Sequence, residues 1–345
     1  MTTTAQLRAL SRWPIVVSPM AGGPSTPTLV AAAAEAGALG FLAGGYKTPA
    51  ALAIEIESVR AATSGAFGVN LFVPGRPAAD PESVATYVRS LGTEAAALGA
   101  ELGVPRWDDD DFAGKLDVVL ADPPDVVSFT FASPSTDVLQ AIRGAGSIVV
   151  VTVTTPDEAA RAEAAGADCL CLQGSEAGAH RGSFSNDDRP DQDWPLMSLL
   201  EQVAARSDLP LIAAGGMAGP QDVATALKAG ATAAQLGTAF LRCRESGANE
   251  VYKAALADPR FTGTAITRAF SGRRARALVN GFVRGHRDAP AAYPEINNAT
   301  RALRAAAAAQ ADADHMGLYA GEGFRGAEDR PAGEIVERLV SGLAP

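Results

Sequence analysis

One pattern recurs along this chain and limits its fold more than any other feature. A short apolar, β-branched run meets a turn with Gly or Pro, and an amphipathic or Ala-rich stretch follows, closed by Gly. PIVVSPM (14–20) leads into TPTLVAAAAEAG, LGFLAGG (39–45) into TPAALAIEIESVRAA, and AFGVNLFV (66–73) into PESVATYVRSLGTEAAALGAELG. DVVSFTFA (125–132) leads into STDVLQAIRGAG, and SIVVVTV (147–153) into TPDEAARAEAAG. ADCLCLQG (167–174) precedes a polar insertion and PLMSLLEQVAARS; LPLIAAGG (209–216) leads into GPQDVATALKAG, and ATAAQLGTAFL (231–241) is the eighth run. Nearly continuous apolar strands alternating with helices imply a parallel sheet buried on both faces. Eight units favour a closed α/β (β/α)₈ TIM barrel over an open doubly wound sheet. No GxGxxG opens the first unit, which weakens a dinucleotide-binding reading further.

Several helices mark their own starts. Ser25-Thr26-Pro27, Lys47-Thr48-Pro49 and Thr155-Pro156-Asp157 each set a capping residue beside a proline suited to a first turn. The eighth run is not followed at once by a closing helix. Residues 245–330 read as an irregular excursion with an Ala-rich helix around Arg301–Gln310, and RPAGEIVERLV supplies the last barrel helix. The expected division is therefore a barrel of 1–244 and 331–345 with an inserted, substrate-covering domain of 245–330. The acidic run Asp108–Asp111 is expected to be a solvated loop rather than a metal site, because adjacent acids cannot all point at one ion.

Bulk properties exclude several functions. The net charge of -10 argues against nucleic acid and anionic membrane faces. No segment approaches the roughly 18 uncharged apolar residues of a membrane helix, and the N-terminus lacks a signal-peptide pattern. Three cysteines cannot build a disulfide framework. Cys169 and Cys171 are expected to pack, on opposite faces of their run, and no metal is expected. The chain reads as cytoplasmic. No heptad seam or isolated apolar stripe indicates an oligomeric state.

In such a barrel the residues just past each strand share one face. In order these are Met20-Ala21-Gly22-Gly23, Gly44-Gly45, Asn70, Ser133, Gln173 through Gly182, Gly215-Gly216-Met217, and Gly237-Thr238 after Gln235-Leu236. Glycines and neutral amides dominate, with one histidine and almost no carboxylate. That composition suits a flat, partly anionic cofactor held by backbone groups. Gly215-Gly216 and Gly237-Thr238 follow strands seven and eight, where barrels bind phosphate at a helix N-terminus. Asn70 and Gln173 can each donate and accept, which matches the alternating edge of a flavin ring. His180, one of three histidines, lies on this face and can take a proton or hold a charge near neutrality. Arg181 and Glu176 read as loop organisers, Arg181 pairing with Glu176 or an acid in SNDDRPDQD. His286 and His315 read as ordinary surface or packing residues.

PIVVSPMAGG, FGVNLF (67–72), QGSEAGAHRG (173–182), LPLIAAGGMAG (209–219), QLGTAFL (235–241) and YAGEG (319–323) occur in that order. Together they resemble the nitronate monooxygenase family of FMN-dependent (β/α)₈ barrels, over nearly the whole chain. The resemblance implies FMN contacts from Asn70, Gln173, Gly178, Gly216 and Gln235 to Thr238, and His180 as the catalytic histidine over the flavin. Met20, Ala21, Gly22 and Gly215 complete the expected cofactor set. The family usually has a second glycine where this chain has Ala179. Its late motif often reads like SLWAGQ, whereas Gly317, Tyr319 and Glu322 stand here.

The reaction so implied is oxidation of an alkyl nitronate, such as propionate 3-nitronate, with O₂ to a carbonyl compound and nitrite, without external nicotinamide. His180 would act in a cationic or hydrogen-bonding form on the nitro oxygens, or as base toward a neutral nitroalkane. The alternatives are an FMN barrel that uses NAD(P)H, of the enoyl-acyl-carrier-protein or quinone reductase kind, and a flavin- or phosphate-binding barrel with a sensing role.

Overall fold

The structure is a computed structural model that describes residues 2–187 and 193–343. Its barrel strands are β1 (Ile15–Val17), β2 (Leu39–Ala43), β3 (Phe67–Phe72), β4 (Val126–Thr130), β5 (Ile148–Val153), β6 (Cys169–Gln173), β8 (Leu211–Ala214) and β9 (Ala233–Leu236). They pair in parallel in that order and close through β1 and β9, with Val16 opposite Gln235. The eight apolar runs are these eight strands. A second, three-stranded antiparallel sheet is built from β10 (Thr264–Thr267), β11 (Ala275–Leu278) and the two-residue β7 (Ala179–His180).

The caps work as the sequence indicates. The hydroxyls of Thr26, Thr48 and Thr155 accept from the N–H groups of Leu29, Ala51 and Glu158, with proline in each first turn. Helix Ala332–Leu339 packs against helices Pro27–Glu35 and Pro220–Lys228 and so closes the outer ring. Ala344 and Pro345, at the end of that segment, lie outside the described residues.

Three expectations are corrected. First, the stretch after β3 is not the barrel helix. It forms helices Pro81–Ser90 and Gly92–Ala97, and Val84, Tyr87, Val88 and Leu91 bury in one cluster with Phe270, Phe282, Ile296 and Leu303 of the excursion. Phe112–Ala121 packs on β3 in its place. An amphipathic pattern says that a face is buried, not which of two cores buries it. Second, residues 245–330 are regular, with helices Glu250–Ala257, Gly281–Gly285 and Glu295–Ala309 around the β10–β11 hairpin. The Ala-rich helix starts ten residues or so before its alanines cluster, because Glu295, Ile296 and Asn297 already bury their side chains. Third, Cys169 and Cys171 both join the barrel-interior cluster with Val16, Phe41 and Ile212. Two residues are one full period of a strand, so they share a face.

The acidic run is also more than a solvated loop. Asp110 pairs with the buried Lys115 at 2.7 Å and accepts from the N–H of Tyr46, while Asp108 accepts from Asn298. It ties the second layer to the barrel.

Candidate active site

A cavity of about 600 Å³ opens at the carboxyl ends of the barrel strands, beneath helix Glu295–Ala309. His180 lines it, as do Met20, Ala21, Gly22, Asn70, Gln173, Gly178, Gly215, Gly216, Gln235, Leu236, Gly237 and Thr238. The face positions Gly44, Gly45 and Ser133 do not. Gly45 serves packing instead, since a Cβ there would sit 2.2 Å from the Phe72 ring. Among the described residues no Asp or Glu lines the cavity, although the chain carries a net charge of -10.

The turn beyond β8 is built to expose backbone. Gly215 and Gly216 have φ of +124° and +70°, in the region where side chains are strained. Among the described residues the N–H groups of Gly216, Gly237 and Thr238 make no hydrogen bond, so they are free to grip an anion. The long helix that follows does not help. Pro220 has no N–H, and Asp222 Oδ2 already accepts from Ala218 and Gly219 at 2.9 and 3.0 Å. The free N–H groups therefore belong to the double-glycine turn and the short 3₁₀ turn Thr238–Phe240, and not to the helix N-terminus after strand seven.

The two neutral amides divide their work. Asn70 is buried, and its Nδ2 donates to Ser128 Oγ at 2.9 Å and Thr130 Oγ1 at 3.0 Å. Its carbonyl oxygen is the end left to accept from a ligand N–H. Gln173 is largely used by its own loop. Its Oε1 accepts from Arg181 Nη1 at 3.0 Å and Gly182 N at 2.8 Å, and its Nε2 donates to the carbonyl of His180. Gln173 thus shapes the histidine loop as well as lining the cavity. Arg181, 1% exposed, also donates to Gly174 O and sits 3.9 Å from Asp193. Its acidic neighbour comes from the 185–193 stretch, of which residues 188–192 lie outside the described set. Glu176 instead accepts from Leu196 N at the start of helix Leu196–Ala204.

His180 is pinned by the excursion: it lies opposite Ala275 in the β7–β11 pairing. Its Nε2 is 2.8 Å from Ser271 Oγ, and that hydroxyl lies 3.3 Å from the Arg273 carbonyl, to which it donates. Ser271 therefore accepts from His180 Nε2–H, which leaves Nδ1 as the basic nitrogen. Phe131, Tyr293 and Tyr319 surround the ring at centroid distances of 6.0, 5.4 and 5.4 Å. Burial, then the charges of Arg273 and Arg304, push the imidazole pKa down to about 3. The ring is neutral at pH 7, so the cationic form considered from sequence is not the resting form. An anion in the cavity would raise its proton affinity again.

Ala179 carries the cost of a side chain in the left-handed region, at φ +64°. A glycine there removes that strain, so Ala179→Gly is expected to stabilise the fold by about 1 kcal/mol. A thermal melt checks this, as a Tm rise of about 1–3 °C. Gly178 is required for a different reason. A Cβ on it would stand 2.5 Å from Gly321 N and 2.6 Å from Ala320 C, where the YAGEG stretch crosses the histidine loop.

Sequence reasoning missed Tyr46, Phe72, Phe131, Tyr252, Arg301 and Arg304, all of which line the cavity. Only the two arginines left a trace. They stand three apart in the Ala-rich helix and so share a face of it. Phe131 sits at φ +83° under the Arg273 guanidinium, 3.8 Å from its ring centroid. For a bulky residue this is strained backbone at the site.

The family model described as nitronate monooxygenase matches residues 5–342. A nitronate monooxygenase from Pseudomonas aeruginosa is 39% identical, with 96% of each chain covered, and a probable nitronate monooxygenase from Bacillus subtilis is 36% identical over 90% of each. The solved nitroalkane oxidase from Streptomyces ansochromogenes superposes with a TM-score of 0.95 at 49% identity, covering 98% of this chain and 97% of that one. FabK from Thermotoga maritima is more distant, with a TM-score of 0.74 at 26% identity over 97% and 94%. Fold, cavity and sequence agree: the chain belongs to the nitronate monooxygenase family.

Proposed function

We propose that the protein is an FMN-dependent nitronate monooxygenase that oxidises alkyl nitronates with O₂ to a carbonyl compound and nitrite. The observation that carries this reading is the cavity wall: among the described residues of an acidic protein it holds no carboxylate, two guanidiniums (Arg301 and Arg304) and a neutral imidazole. Such a wall accepts anions. The glycine turns with free N–H groups and the inward acceptor of Asn70 fit the phosphate tail and ring edge of FMN. Bound there, FMN would supply the electron acceptor for the substrate and the route of electrons to O₂.

The chain's own residues do the rest. His180 Nδ1 takes or shares a proton at the nitro compound, and Ser271 fixes the tautomer that makes this possible. Helix Glu295–Ala309, Tyr319 and Tyr252 close the cavity from above and exclude water. We assign residues 1–244 and 331–345 to the barrel and 245–330 to the covering layer, whose core takes in Val84 to Leu98 as well. Three buried, unpaired cysteines fit a cytoplasmic setting.

The test is aerobic turnover of propionate 3-nitronate by the purified protein, followed as O₂ uptake and nitrite release. Both are expected without added NADH or NADPH; nitrite only in the presence of a nicotinamide would refute the reading. One rival is an FMN barrel reduced by NAD(P)H, and the same experiment separates the two.

A further inference from the structure

Arg273 and Arg304 stand around His180 with no carboxylate in salt-bridge range among the described residues, and this bears on which form of a nitro compound the site takes. The inference rests on the function proposed above. Arg273 is buried at 6% exposure. Its guanidinium lies 3.8 Å from the centroid of Phe131 and 5.9 Å from that of Tyr293, two rings that flank His180. Among the described residues its guanidinium donates to the carbonyls of Arg181 and Ser183. Burial draws its pKa down to about 10, so it is still a cation at neutral pH. Arg304, on the cavity wall, donates to Thr300 Oγ1 and to the backbone and side-chain oxygens of Asn297. Its Cδ and the Tyr319 ring both flank Gly317.

Arg301 is a further cation on the cavity wall and donates to the neutral Asn298, whereas three other arginines nearby have acidic partners. Arg181 and Arg274 face Asp193, and Arg276 pairs with Glu322 at 3.1 Å. The remaining groups around the imidazole are the hydroxyls of Ser271, Tyr46, Tyr293 and Tyr319. Glu158 acts on Arg273 through its charge, but among the described residues it forms a salt bridge with neither guanidinium, and its oxygens accept from Thr154 and from the N–H of Phe184.

We propose that Arg273 and Arg304 form a fixed positive frame that selects anionic nitronates over neutral nitroalkanes. Turnover of a nitroalkane needs one step more: its α C–H bond breaks, the proton forms an N–H bond at His180 Nδ1, and the electron pair moves into the nitro group. That step adds a third positive charge beside two existing ones. A nitronate arrives already deprotonated, and its charge is compensated by the frame.

The experiment compares wild type, Arg304→Gln, Arg273→Met and Arg304→Lys on ethylnitronate and nitroethane at pH 8. NMR titration of the three imidazoles runs alongside, with the His180 signal assigned by its loss in His180→Asn. Arg304→Gln is expected to lower kcat/KM for the nitronate about tenfold and to raise it severalfold for the nitroalkane. His180, held down first by burial and then by Arg273 and Arg304, should then titrate higher than in wild type. Arg273→Met should move both readouts in the same directions, and Arg304→Lys, which keeps the charge, should raise the His180 titration less than Arg304→Gln does. A general loss of structure would slow both substrates together, and that outcome, or an unmoved His180 titration, would overturn the frame. A protein that turns over neither compound sinks the proposed function itself, while nitronate turnover with an unmoved His180 sinks only this inference.

Discussion

His180→Asn is expected to yield a folded, yellow protein whose nitroalkane turnover has dropped by about 10²–10⁴-fold. The side chain is held from three sides: by Ser271 on Nε2, by the pairing of β7 with β11, and by the rings of Phe131, Tyr293 and Tyr319. None of these contacts belongs to the glycine turns assigned to the phosphate, so colour should survive. Nitronate turnover should fall less, by about tenfold, because no C–H proton has to be removed. Steady-state kinetics on the two substrates, with the visible spectrum as control, decide it. A colourless variant would place the histidine in cofactor binding instead.

Gly216→Val is expected to do the opposite: FMN retention falls by roughly a hundredfold or more while the barrel stays closed. Position 216 has φ +70°, and a Cβ would lie 2.7 Å from that of Glu176. A β-branched side chain must reshape the turn and withdraw the free N–H groups of Gly216 and its neighbours across the gap. The purified variant should be colourless, with a far-ultraviolet spectrum like that of wild type. Retention of FMN at full occupancy would show that the phosphate sits elsewhere.

Much of this site could be read before the fold was known, for a physical reason. Barrel topology sends every strand's carboxyl end to one face, so residues far apart in sequence, from Met20 to Thr238, can be assigned to a common cavity from strand pattern alone. The glycines announced their turns because only they tolerate φ near +70° to +124° without strain. The contributions of the second layer were not legible. Ser271, Arg273 and Arg304 act through contacts made by a second layer whose register nothing local specifies. Phe131 looked like the continuation of a strand, and its positive φ is imposed by packing. The charge state of His180 was out of reach for the same reason, since it depends first on burial beneath that layer and then on two guanidiniums 93 and 124 positions further along the chain (273 − 180 and 304 − 180). The helix at Phe112–Ala121 escaped notice because an earlier amphipathic stretch satisfied the repeat first.

Anaerobic mixing of the purified protein with propionate 3-nitronate, followed at the flavin absorbance bands, tests the central claim most directly. The account expects a yellow protein that the nitronate alone bleaches and that air restores with release of nitrite. A spectrum unmoved by the nitronate but bleached by NADH or NADPH would contradict it.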